Sequence, residues 1–435
     1  MYMVKYFNQK VWLSVEILGQ ARGFRGSPVR DVLAESIDYA FEQNSPDIRV
    51  YSFLKQLPPG DLDGELRMIG FGKAGRGMYR GAKKFFGEKI SRAGIILPLS
   101  EGEKFEPPFL PGNHPLLGKE SIESSKKILE LLRGLTKDDV VIVLISGGGS
   151  SLFEILRDGV ELSRYNETVN CLMRNGANIK ELNAARYLYS RTKGGGLLEF
   201  THPARVLGLI VSDVPGDNEE TVASGPTSRP PERHLIESVI AKYGKMCTLP
   251  RAVQEYRRSF YRSENYVVLR NSDFVKSIVQ RVEHHGLKGI DVGSGIEGDT
   301  ENVARFLVGR MRSEYRKTNG PVTVVGGGET FTKRIGNGKG GRNLELALRV
   351  LLLMDKNEEF TFGSIGTDGM DGSSNAMGAI VDDETLRILD RELILDSLSR
   401  SESLRPLIIS QDVLFTGPTG TNVSDIFVGY YAGTG

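Results

Sequence analysis

The sequence predicts an α/β protein of two domains, and three observations lead to it. At about 150 residues per domain, a chain of 435 residues makes two or three domains with room for real cores. Short, continuously apolar runs alternate with helical patterns, as expected of parallel strands covered on both faces. Glycine-rich turns cluster where those runs end, which is where open parallel sheets bind ligands.

The elements follow in order. From Pro28 to Asn44, Val29, Val32, Leu33, Ile37 and Ala40 recur at helical spacing and stop before Pro46. Buried strands are expected over Leu66–Gly70, Ala93–Leu97 and Val140–Ile145, with helices over Arg76–Phe86 and Lys119–Leu132 between them. The alternation continues through Val206–Ser212, Val267–Leu269, Val322–Val325 and Glu359–Ser364. The charged stretch Arg229–Glu264 reads as helical and polar, which places a domain boundary near residue 255. The expected organisation is an extension over residues 1–28, a larger Rossmann-like parallel-sheet domain over 29–255 and a smaller α/β domain over 256–435.

Composition excludes several classes. Lys+Arg 56 against Asp+Glu 55 gives a net charge of +1, so no global field attracts nucleic acid or an anionic membrane. Two cysteines, Cys171 and Cys247, are too few for a disulfide framework or a thiolate metal site, and no apolar run suits a signal peptide or a membrane span. A cytoplasmic protein is expected. Glycine, 52 residues or roughly 12% against a usual 7%, is the one anomaly.

Most of that excess lies in loops that carry charge. Gly70-x-Gly72-x-x-Gly75 has the spacing of the dinucleotide fingerprint. The acidic residue that should hold the ribose is missing, Glu88 falling too early and Glu101 late, and Lys73 inside the turn suits phosphate instead. Ser146-Gly147-Gly148-Gly149-Ser150-Ser151 follows the strongest apolar run, so that successive N–H groups can converge on an anion. The G-x-S-x-G elbow of a serine hydrolase is absent. Arg186, Arg191 and Lys193 lie in one basic segment and suit carboxylate or phosphate. Asp213 stands at a strand end with Asp217 beyond it, as Mg²⁺ sites require, and Ser224-Gly225-Pro226-Thr227 follows. A second glycine-rich segment carries Glu329, Arg334, Lys339, Arg342 and Asn343, with no Walker pattern, and Asp368 and Asp371 lie in a later glycine turn. Together these loops predict one anion and metal cleft.

The runs GFGKAGRGM, GNHP, LISGGGSSL, RNGANIKELNAARYLYSRTKGGGL, SDVPGDNEETVASGPT, GGGETF, GNGKGGRNLE, GTDGMDG and GPTGTNVSD resemble, in this order, the glycerate 2-kinases that end in a MOFRL domain. The resemblance covers nearly the whole chain from about residue 29. It implies two α/β domains, the second of MOFRL type, enclosing the active site. It also implies ATP- and Mg²⁺-dependent phosphorylation of D-glycerate at its 2-hydroxyl, within carbohydrate metabolism such as Entner–Doudoroff routes. The family's functional lysine falls on Lys73 and its functional arginine on Arg342. Leu344, Ser373 and Asn375 depart from the family's usual residues.

On this reading Lys73, Arg342 and Asp213 are the catalytic candidates. Ser146, Gly147, Gly148, Gly149, Ser150, Arg186, Arg191, Lys193, Glu329 and Asn343 are expected to bind substrate or phosphate. Asp213, Asp217, Glu329 and Asp368 are the metal candidates. The expected partners are D-glycerate and ATP, with no nucleic acid or membrane; a homodimer is compatible with the sequence. The alternative is a hydroxypyruvate reductase using a nicotinamide cofactor, a label that some relatives carry and that rests here on the Gly70-x-Gly72-x-x-Gly75 match.

Overall fold

The computed structural model describes residues 28–58, 64–99, 104–250, 263–333 and 336–434 in full. Of residues 2–21 it describes only short antiparallel backbone strands, Tyr2–Tyr6 beside Gln9–Leu13 and Glu16–Ile17 beside Gln20–Ala21. Glu101 and Arg334 lie outside the described residues, as does most of the expected extension.

The chain forms two compact units, each built from more than one segment. One holds residues 46–213 and 217–269; the other holds 1–45, 214–216 and 270–435.

The first unit is built on six parallel strands. From one edge they are Phe109–Gly112, Ile90–Pro98, Leu66–Phe71, Val140–Ile145, Arg205–Val211 and Ser263–Leu269. Counted along the chain this is the order 3-2-1-4-5-6 of doubly wound nucleotide-binding sheets. Leu66–Phe71 and Val140–Ile145 are buried along their whole length, which explains their unbroken apolar sequence. They are also the strands between which the winding reverses. Helices Leu162–Arg174, Ile179–Tyr189 and Arg233–Tyr243 share a second core that includes Tyr165, Leu172, Leu182, Val239 and Tyr243.

The second unit carries a mixed sheet ordered Gly289–Asp291, Val322–Phe331, Asp425–Thr434, Glu358–Gly366, Gly378–Asp382 and Val413–Leu414, with Ile296–Asp299 beside Val322–Phe331. Its last strand, Asp425–Thr434, lies in the middle and runs antiparallel to both neighbours. The parallel alternation expected past residue 322 therefore does not hold. Helices Thr300–Thr318 and Arg342–Leu353 cover an apolar core that includes Leu307, Met311, Leu344, Leu348, Phe362 and Phe427.

The single cut expected near residue 255 does not follow these units. Ser263–Leu269 completes the parallel sheet beside Arg205–Val211. Within the stretch expected to be polar and helical, helix Arg233–Tyr243 buries Ile236, Val239 and Tyr243, while residues 251–262 lie outside the described ones. At the other end, helix Pro28–Gln43 joins the mixed-sheet unit. It opens on Pro28, whose fixed φ suits a first helical residue, with Asp31 in its first turn. Phe41 meets Phe274 edge to face at 5.0 Å. Buried Arg30 donates to Asp382 at 2.8 Å, to Asp412 at 2.7 Å and to the Ile380 carbonyl at 2.7 Å.

Cys171 and Cys247 form one disulfide, tying helix Leu162–Arg174 to the turn after Arg233–Tyr243. The cysteine count therefore carries no argument about cellular compartment. Among the described residues no helix is long and apolar enough to cross a membrane.

Arg30→Ala would leave two buried carboxylates without their shared cation. The expected loss is about 3–5 kcal/mol, read as a lowered midpoint in denaturant unfolding.

Candidate active site

In the parallel-sheet unit the site is assembled where the winding reverses. The Leu66–Phe71 strand runs into Gly72-Lys73, and the Val140–Ile145 strand into Ser146–Ser151. The two loops are bonded to each other: the Lys73 N–H donates to the Gly147 carbonyl at 2.9 Å and the Ala74 N–H to the Ser146 hydroxyl at 3.1 Å. Gly72 has φ +127°, and a Cβ there would lie 2.1 Å from the Ser146 hydroxyl oxygen, so no other residue allows this approach. Gly148 also has a left-handed φ, +83°, and a Cβ on it would meet the His114 ring at 3.1 Å and the Lys73 stem at 3.5 Å. Lys73 and His114 therefore flank the glycine run. Lys73 is half-buried and leads into helix Gly75–Phe86, and the short helix Gly149–Leu152 opens the other loop.

A polar chain continues from the second loop. The hydroxyls of Ser150 and Ser224 share a hydrogen bond of 2.9 Å, Ser224 donates to the Asn183 side-chain carbonyl at 2.8 Å, and Arg186 donates to the same oxygen at 3.2 Å. Arg186 also bonds the buried Tyr165 hydroxyl, whose titration burial raises far above that of an ordinary tyrosine. Ala223 and Ser224, neither a glycine, have φ of +51° and +64°, backbone strain of the sort that gathers at functional sites. Arg191 is exposed, its guanidinium 5.3 Å from the Phe200 ring centre, and is not part of this chain. Asp213 follows the Arg205–Val211 strand and Asp217 lies four residues on with φ +53°.

In the mixed-sheet unit the site is an ion cluster at the head of the central strand. Arg342 opens helix Arg342–Leu353 and grips Asp425 in bidentate fashion, Nε to Oδ2 at 2.7 Å and Nη2 to Oδ1 at 3.0 Å. Its Nη1 reaches Glu329 at 2.7 Å. Pairing puts Gly328 opposite Asp425 on one side and Gly366 on the other; a Cβ at Gly366 would lie 3.4 Å from the Asn343 amide, whereas one at Gly328 would meet the Ile296 backbone. Asp371 caps the helix, accepting from the N–H groups of Asn343 at 3.0 Å and Leu344 at 2.9 Å. Burial pushes the Asp425 carboxyl up to about 6 against the pull of Arg342. Burial opposes the Arg342 charge too, but Asp425 and Glu329 prevail and hold it more firmly protonated than an ordinary arginine.

Several expectations change. Lys193 is 1% exposed, and its ammonium donates to the carbonyls of Phe153 at 2.5 Å and Gly149 at 3.4 Å, so it supports the loop from behind and does not face a ligand. Asn343 is also 1% exposed, its amide spent on Asp425 and on the Ser364 hydroxyl. Glu329 is exposed but already paired with Arg342. Asp368 caps its own turn through the Met370 N–H. Among the described residues no three of His, Cys, Asp and Glu gather into a cation site, so the four metal candidates form no ready cage. Sequence reasoning placed Ser224 and Asp371 in the cleft loops without giving either a role, and missed Asn183 and Asp425. All lie inside the motifs quoted above, and Asp425 carried a usable signal as a lone acid before a long apolar run.

The glycine loops of the parallel-sheet unit can hold a phosphorylated ligand beside Lys73, and the ion cluster of the mixed-sheet unit fixes the direction of Arg342. Such a fold and such loops define an enzyme of phosphoryl-transfer class. Family models match residues 32–258, described as a domain of unknown function, DUF4147, and residues 322–425, described as the MOFRL family. A glycerate 2-kinase from Picrophilus torridus is 37% identical over 84% of this chain and 87% of its own. A putative hydroxypyruvate reductase from Agrobacterium vitis is 31% identical over 83% of this chain and 98% of its own. The crystal structure of a glycerate kinase from Thermotoga maritima superposes with a TM-score of 0.82 at 29% identity, covering 93% of this chain and 99% of that one. The chain belongs to the glycerate kinase family that carries a MOFRL domain.

The Asp425 carboxyl, at about 6, lies above the 3.8 of an ordinary aspartate, so folding takes up a proton between these values. The stability this group supplies is present below about pH 4 and is lost as pH rises through about 6. Wild-type unfolding free energy measured relative to Asp425→Asn should therefore fall by about 2–3 kcal/mol between pH 4 and 7.

Proposed function

We propose that this enzyme transfers the terminal phosphoryl group of ATP to the 2-hydroxyl of D-glycerate, giving 2-phosphoglycerate. The observation that carries the reading is the bonded pair of glycine loops with Lys73 between them at the reversal of the 3-2-1-4-5-6 sheet. Phosphoryl transfer asks for positioning and charge neutralisation more than covalent chemistry, and a site of glycine turns, one lysine, one arginine and carboxylates meets that demand. Ser146–Ser150 would receive phosphate oxygens. Lys73 and Arg342 would neutralise the transferring group, and Asp425 would keep Arg342 aimed. Arg186, backed by Asn183 and Tyr165, is the better placed of the two arginines for the glycerate carboxylate. In the transfer the acceptor oxygen forms a bond to phosphorus while the bond from phosphorus to the bridging oxygen of ADP breaks. The hydroxyl proton passes to a carboxylate.

Mg²⁺ suits this set of donors. It needs only one or two carboxylates when substrate phosphates and waters complete its shell. Asp213 and Glu329 are the first candidates for the metal or for the hydroxyl proton, with Asp217 and Asp368 behind them. When bound it supplies charge neutralisation to the phosphates.

The reductase reading has support in the sheet order and in the name of the Agrobacterium relative. Against it, Gly72 is closed by Ser146, and the Lys73 N–H that would face a pyrophosphate is bonded to Gly147. Strand Ile90–Pro98, which would end on the ribose carboxylate, ends on Leu97-Pro98.

Phosphorus NMR of the product from D-glycerate, ATP and Mg²⁺ tests the reading. A 2-phosphoglycerate signal is expected; a 3-phosphoglycerate signal would overturn the position, and NAD(P)H-linked reduction of hydroxypyruvate without any phosphoester would overturn the class. Lys73→Ala and Arg342→Ala should each lower kcat by roughly 10²–10⁴-fold, and unchanged turnover in both would refute their roles. Arg186→Ala should raise KM for glycerate and leave that for ATP unchanged.

A further inference from the structure

Behind the Ser146–Ser151 loop lie a buried lysine and a buried glutamate, coupled through their charges, that phosphoryl transfer does not itself require. Lys193 is 1% exposed and Glu154 0%. The Lys193 ammonium donates to Gly149 and Phe153, the two carbonyls that bracket helix Gly149–Leu152. One Glu154 oxygen accepts from the hydroxyls of Ser190 at 2.5 Å and Thr192 at 3.1 Å, while the other has no hydrogen-bond partner among the described residues. The Ser190 oxygen in turn accepts from the N–H groups of Thr192 at 3.0 Å and Lys193 at 2.9 Å. Beyond Lys193, the N–H groups of Gly194 and Gly195 donate to the carbonyls of Ser224 at 3.0 Å and Gly225 at 2.8 Å. One lysine thus stands where three loops meet: the glycine loop, its own Ser190–Gly195 turn and the strained Ala223–Gly225 turn.

Stability alone does not account for this pair. Well-packed apolar residues of the same volume are often as stabilising as a buried ion pair, or more so. An unbonded buried carboxylate oxygen is a further cost. What the ammonium supplies, and an apolar residue would not, is a charged donor that fixes both ends of a one-turn helix whose first residues are the glycine loop. It also places a positive charge under the position assigned to phosphate, where low dielectric carries its effect further than in water. Burial draws Lys193 below the usual lysine range and raises Glu154, with the attraction between the two opposing both shifts.

We propose that Lys193, compensated by Glu154, is a positioning residue that sets the Ser146–Ser150 loop for the phosphates of the donor nucleotide. This rests on the reading that the loop receives ATP. The test uses the full-length enzyme, with ATP binding followed by calorimetry and turnover followed with both substrates varied. Lys193→Met is expected to destabilise the protein, because it strands Glu154. Lys193→Met/Glu154→Gln, which is neutral and nearly isosteric, should recover the thermal midpoint to within a few degrees. It should nevertheless bind ATP at least tenfold more weakly, with KM for ATP raised and KM for D-glycerate unchanged. A double variant that binds and turns over ATP like wild type would reduce the pair to a packing feature and overturn the proposal.

If the double variant does not fold, Glu154→Gln alone decides. It keeps the hydrogen bonds from Ser190 and Thr192 but removes the compensating charge. A changed ATP affinity, in either direction, with unchanged glycerate KM supports the proposal, and unchanged ATP binding refutes it. The wild-type control separates the two readings. Wild type that binds ATP but makes no phosphoglycerate would sink the activity and leave the loop inference to the variants, whereas wild type that binds no ATP would sink both.

Discussion

The approach of the Gly72–Lys73 turn to the Ser146 hydroxyl is the constraint on which the site in the parallel-sheet unit depends. A side chain at residue 72 would collide with Ser146, and the bonds from Lys73 and Ala74 to that loop require the same closeness. Adjacent parallel strands whose windings diverge supply it, because the two loops leave the sheet side by side. The contact also decides what the loops can accept. With Gly72 turned toward Ser146, the open glycine of the fingerprint spacing is closed, and the half-buried Lys73 and Gly148 are what this corner of the sheet leaves accessible.

In the mixed-sheet unit the corresponding constraint is electrostatic. Asp425 is fully buried and would be costly there alone; Arg342 and Asn343 together make its charge tolerable. The same interaction restrains an arginine that would otherwise sample many rotamers, so its direction is set before a ligand arrives. Asp371 anchors the helix from which Arg342 and Asn343 both project.

Much of the fold was legible because burial leaves a plain mark. Val140–Ile145 is apolar at every position since both its faces are covered, and its predicted limits match the strand in the structure. Asp425–Thr434 was not legible: its central place depends on antiparallel pairing with strands about 60 to 110 residues earlier, which no local pattern records. Lys193 shows the same limit at the scale of a side chain. A lysine beside three glycines suggests an anion, yet whether its ammonium points outward or beneath the loop is decided by Glu154 and the carbonyls of Gly149 and Phe153, residues about 40 positions away. Nothing in the local sequence marks Arg30 as buried, because its partners Asp382 and Asp412 lie more than 350 residues away.

That pairing of Arg30 with Asp382 and Asp412 bears on how the protein is made. A ribosome releases helix Pro28–Gln43 early, but the carboxylates it needs, and the central strand Asp425–Thr434, emerge only near the end of translation. Every strand of the parallel sheet is finished by Leu269, so that unit can form while synthesis continues. The apolar face of the first helix waits for Phe274, and Arg30 waits 352 residues for Asp382, so this helix leaves the ribosome well before the residues that bury it.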